Sequence, residues 1–87
     1  MQMLERIIMA TKSQRLFSIF VERNKEFVWK RAMLLSKGDS QLAQKHAVQI
    51  FLRVWEQVLD GSYRSLAHSS MQYIKEELVA SKIGTIQ

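Results

Sequence analysis

The run from Asp39 to Asp60, DSQLAQKHAVQIFLRVWEQVLD, leaves this chain little choice but a helical fold. Ala47, Phe51, Val54 and Val58, and beside them Val48, Leu52, Trp55 and Leu59, recur at three- and four-residue steps. That is the period of one helix face. Asp39 and Ser40 can accept hydrogen bonds from the unpaired N–H groups of a helix start. Asp60-Gly61 can end the helix, because glycine enters the left-handed region without steric cost. At about 1.5 Å per residue the helix would span about 30 Å, the width of a small domain, so other helices must pack on it.

What those other helices are follows from the rest of the chain. Eighty-seven residues make one domain, and a chain of this size buries only about 60–65% of its unfolded surface. With no Pro, three Gly and 47% hydrophobic residues, the expected fold is all-α, a compact three- to four-helix bundle. The absence of Cys rules out a disulfide framework and a thiolate zinc site. Ile7-Ile8-Met9-Ala10 is far too short to span a membrane and lacks the layout of a signal peptide. A cytoplasmic protein with no membrane partner is therefore expected.

Residues 1–12 read as an N-terminal extension or short helix, 13–82 as the helical body and 83–87 as a mobile tail. Ser13 can cap a helix carrying Leu16, Phe20, Phe27, Val28, Met33, Leu34 and Leu35 on its apolar side. Arg23-Asn24-Lys25 interrupts that side, so one bent helix or two, divided near Asn24, are expected. Lys37-Gly38 ends the segment, with a cation at the negative end of the helix dipole. After a loop at Gly61-Ser62-Tyr63-Arg64, Ser65 can cap a helix over Leu66–Ala80. There Ala67, Met71, Ile74 and Leu78 form an apolar stripe.

Reactive chemistry is missing. His46 and His68 fall in different helices without a second ligand at metal spacing. Glu76 and Glu77 are adjacent, so they point to different sides of a helix and cannot act as a paired acid and base. No glycine-rich phosphate loop, nucleophile motif or dinucleotide fingerprint is present. The chain is expected to be no enzyme, with no catalytic residue, metal, cofactor or small-molecule substrate. Trp55, on the apolar arc, is expected in the core, and Met33 and Met71 as core fillers. Trp29, beside Lys30-Arg31, is the better candidate for an interface.

The formal charge of +5 is uneven. Residues 1–38 hold eight Lys and Arg against three Glu, whereas residues 39–87 hold five cations against five carboxylates. Such a surplus either speeds encounters with nucleic acid and acidic proteins or serves solubility.

LFSIFVERNKEFVWKRAMLLSKGDSQLAQKHAVQIFLRVWEQ resembles the first two helices of the second region of bacterial RNA polymerase sigma factors, especially the small extracytoplasmic-function type. In that family an aromatic-rich helix leads through a Gly-Asp turn into a helix ending Phe-Leu-Arg-Val-Trp-Glu, here Phe51 to Glu56. The likeness covers roughly residues 14–82, with SYRSLAHSSMQYIKEELVASK similar in placement to the helix that reads and melts the promoter −10 element. It implies a sigma region-2-like bundle acting in transcription initiation. Gln41, Gln44, Lys45, Gln49 and Arg53 would dock on the coiled coil of the largest subunit of core RNA polymerase. Arg64, His68, Gln72, Tyr73 and Lys75 would approach promoter DNA, with Tyr63, His68 and Tyr73 able to stack on unpaired bases.

The resemblance also implies an anti-sigma protein as a further partner. Where the family carries an acidic residue and a glutamine before that Phe, this chain has Gln44 to Gln49. Its tryptophan near the start of the third helix is Leu66 here. The family's second DNA-binding domain does not fit in the length, so a fragment or a stand-alone region-two-like protein is expected. The alternative is a small helical adaptor or self-associating interaction domain, including a regulator of a sigma factor, whose partner completes the wide apolar arc over 47–59.

Overall fold

A computed structural model describes residues 2–86, with side chains described for residues 2–81. Four helices follow one another: α1 (Met3–Thr11), α2 (Gln14–Leu35), α3 (Ser40–Asp60) and α4 (Leu66–Ile86). No strand occurs among the described residues. The chain is an all-α bundle.

Each boundary has a local cause. Ser13 Oγ accepts from the Leu16 N–H at 3.2 Å, and Asp39 Oδ1 accepts from the N–H groups of Gln41 and Leu42 at 3.0 and 3.2 Å. Side-chain oxygens thus take donors that the first turn leaves unpaired. Ser65 Oγ does the same for the His68 N–H at 3.0 Å. The α2–α3 turn places Lys37 and Gly38 in succession at positive φ, and Gly61 ends α3 at φ 80°. At Gly38 and Gly61 any other residue meets backbone strain, not crowding, since a Cβ there would touch nothing.

Of the two readings at Arg23-Asn24-Lys25, one helix or two, the structure has one. Asn24 turns its side-chain amide back onto the Phe20 carbonyl at 2.8 Å, and α2 runs uninterrupted from Gln14 to Leu35. At its other end α4 continues past Ala80 to Ile86. The mobile tail expected over 83–87 falls on side chains outside those described.

The core is Ile8, Phe20, Val28, Ile50, Val54, Val58, Tyr63, Leu66 and Tyr73, with Leu4, Leu16, Phe17, Val21, Leu35, Phe51 and Trp55 packed around it. Burying Val28, Ile50 or Val54 contributes about 1.5–3 kcal/mol each. Helices α2 and α3 form the principal pair, α1 lies across both, and α4 rests mainly on α3. Edge-on contacts of Phe20 with Phe51 and Tyr63, at 6.4 and 6.5 Å between centroids, tie α2 to α3 and to the loop before α4.

Three expectations about the core are corrected. Leu34, expected inside, is 81% exposed, because Val28, Ala32 and Leu35 occupy the side of α2 that meets α3. On α4 the apolar stripe faces the wrong way. Met71 and Leu78 are exposed, while Leu66, Ser69, Ser70 and Tyr73 are buried. Ser69 can sit inward because Gln57 accepts its hydroxyl at 2.5 Å, which removes the penalty of burying a polar group. Trp55 is half-buried at the surface of the core, with its ring 4.8 Å from that of Phe17.

Candidate protein-docking face

Helix α3 carries two adjacent stripes, and they have different fates. Ala43, Ile50, Val54 and Val58 turn inward and are buried. Val48, Leu52 and Leu59 stay outside at 52%, 47% and 52% exposure. A single bundle of this size can cover only one of the two. The outer stripe borders a shallow groove whose α2 wall is Gln14, Phe17, Ser18 and Val21 and whose α3 wall is Val48, Phe51, Leu52 and Trp55.

Gln41, Gln44, Lys45 and Gln49 are all exposed on α3 alongside this stripe. The four share one side of the helix, as the spacing predicts. Arg53 is engaged elsewhere: its guanidinium donates to both carboxylate oxygens of Glu76 on α4, at 3.0 and 2.6 Å. The pairing raises the pKa of Arg53 and lowers that of Glu76, in each case chiefly through the hydrogen bond between them. The fork-to-fork geometry bridges α3 and α4 and leaves Arg53 less free to meet a partner.

The side chains expected to approach DNA are not brought onto one open surface. Arg64 and Lys75 are exposed, and His68 is half-buried. Gln72 accepts from the Gln57 amide at 2.9 Å and so faces α3. Tyr73 is 6% exposed, with its hydroxyl 2.7 Å from His46 Nδ1. Burial, reinforced by neighbouring Glu77, pushes the Tyr73 phenol up to about 12. Tyr63 is 5% exposed and donates its hydroxyl to Glu5. Neither tyrosine presents a ring for a base to stack on. Each completes the core because its hydroxyl has a partner there.

The outer stripe itself, Val48-Leu52-Leu59, is the part of the site that a simple count of apolar positions hides. Its signal in the sequence is that α3 has two such stripes at the same period. The polar seam of Gln57, Ser69 and Gln72 had no comparable signal. At α2 the Arg31 guanidinium lies 4.5 Å over the Phe27 ring, with Nε buried and without a hydrogen-bond partner. No group of three or more His, Cys, Asp or Glu able to hold a metal ion occurs among the described residues. Within them no helix is long and apolar enough to cross a membrane.

The arrangement can bind, through an apolar stripe flanked by amides and a cation. No protein-family model matches the chain, and neither a curated protein nor a solved structure does.

Proposed function

We propose that this chain is a docking module of the sigma region-2 kind, which attaches to core RNA polymerase in the cytoplasm through the outer side of α3. The observation that carries this reading is the exposure of Gln41, Gln44, Lys45 and Gln49 around the exposed Val48 and Leu52, with Gln44 on one flank of that stripe and Lys45 and Gln49 on the other. A rigid helix with an apolar centre and hydrogen-bonding margins suits a helical target such as the coiled coil of the polymerase's largest subunit. The sequence resemblance over α2 and α3 names that target.

Promoter DNA enters as the lesser part of the proposal. Arg64 and Lys75 are the exposed cations of the expected set, with His68 half-buried, and two cations make a small electrostatic footprint. Any DNA affinity is expected to fall steeply with added salt. An anti-sigma protein would compete for the same apolar stripe.

The test is direct binding of the full chain to a purified coiled-coil fragment of a bacterial polymerase largest subunit. A complex of roughly micromolar affinity that weakens about tenfold in Gln49→Ala or Gln44→Ala supports the reading. No complex at tens of micromolar overturns it. The second reading, an adaptor domain, is favoured by the apolar groove between α2 and α3, which any amphipathic helix could enter.

A further inference from the structure

We infer that the chain forms a symmetric dimer in which the α3 helices of two copies pack antiparallel along their outer stripes. The stripe is longer than the apolar trio alone. Gln41, Lys45, Val48, Leu52, Trp55 and Leu59 follow one another at steps of four, three, four, three and four. That is the seam of a two-stranded coiled coil, displayed on a helix whose opposite side already serves its own core.

The charges on the seam choose the partner and its direction. A two-fold axis near Ile50 sets Val48 opposite Leu52, Lys45 opposite Trp55 and Gln41 opposite Leu59 of the second copy. Lys45 then lies over an indole face and next to the Glu56 carboxylate of the second copy, so a cation meets both a ring and an opposite charge. A parallel pairing sets Lys45 against Lys45 and Glu56 against Glu56, which is repulsive. Lys45 and Glu56 are both exposed, and the ion pairs among the described residues are Lys25–Glu22 and Arg53–Glu76. One surface that complements itself after a half-turn is what a two-fold dimer requires. Gln14, Ser18 and Val21 of α2 form the second wall of the groove, so each incoming helix is held on two sides.

The dimer does not rest on the polymerase reading, although it would cover Lys45 and Gln49 and so compete with any helical target. Sedimentation velocity on the full chain and on Lys45→Glu, Glu56→Lys and the double variant tests it, with circular dichroism confirming unchanged helicity. Both positions are exposed, so the fold should survive. A concentration-dependent dimer is expected, weakened about tenfold by either single substitution because symmetry breaks two contacts at once. In the double variant the pair is reversed and dimerisation returns to within about threefold of the original. A chain that stays monomeric up to roughly 1 mM overturns the inference. So does a dimer indifferent to the single substitutions, or one weakened further in the double variant. Failure to bind the polymerase fragment bears only on the preceding proposal.

Discussion

The Tyr63 hydroxyl donates to the Glu5 carboxylate, fastening the loop before α4 to the first turn of α1. Glu5 also accepts from the Gln2 N–H at 3.3 Å, so one carboxylate both closes the start of α1 and anchors it to the body. Around this contact lie Ile8, Phe17, Phe20, Val54 and Val58. Tyr63→Phe is expected to lower unfolding free energy by about 1–2 kcal/mol, because it removes the donor from a half-buried carboxylate. Amide hydrogen exchange should rise more in α1 than in α3. Uniform exchange across both helices would contradict the anchoring role.

The same tyrosine and Tyr73 set an alkaline limit. Burial first, and a nearby carboxylate second, raise both phenols above the ordinary value of 10.0, Tyr73 to about 12. In the unfolded chain they lose protons near the ordinary value, so deprotonation favours unfolding. Stability is therefore complete below that pH and lost as pH rises through the folded values. Urea midpoints should be flat from about pH 8 to 9.5 and fall above it. Tyr73→Phe should remove part of the slope.

The two stripes of α3 predict opposite responses to one kind of substitution. Ile50 is wholly buried, and Ile50→Ala should cost about 3–4 kcal/mol in chemical denaturation. Leu52→Ala should cost under about 1 kcal/mol in the isolated chain, since its side chain already meets water. Equal losses would mean the outer stripe is covered.

Between Arg53 and Glu76 the expected coupling is small. Arg53 is about a quarter exposed and Glu76 more than half, so water and salt screen the pair. A double-mutant cycle with Arg53→Gln and Glu76→Gln should give at most about 0.5 kcal/mol, shrinking with salt. Since Arg53 lowers the pKa of Glu76 below 4.5, this contribution is present above the ordinary carboxylate value. It is lost as pH falls through the folded one.

How legible the molecule was depends on which force fixed each part. Caps at Ser13, Asp39 and Ser65 and the stop at Gly61 could be read from residue type, because a side-chain oxygen or a missing Cβ acts within a few positions. The inward row of α3 was only partly visible. Val54 and Val58 were read correctly, but Ile50 and Ala43, the other wholly inward members, were passed over for Val48 and Leu52. Two rows of equal period cannot be ranked until the neighbouring helix is in place. Helix α4 was misread for a different reason. Its inward side holds Ser69 and Ser70, whose burial depends on hydrogen bonds to Gln57 and to the Ala67 carbonyl, partners that an apolar pattern does not encode. In the candidate site, Gln41, Gln44, Lys45 and Gln49 could be placed outside by helical geometry alone. The capture of Arg53 by Glu76 and of Tyr73 by His46 spans 23 and 27 residues and needed the fold.

The hydrogen-bonded seam between α3 and α4 has a mechanical consequence. Grease tolerates sliding, whereas Gln57 with Ser69 and Gln72, Arg53 with Glu76, and His46 with Tyr73 work like the teeth of a key. Shifting α4 by one turn would break every tooth together, so this helix has one resting position on the body and leaves it by detaching, not by creeping.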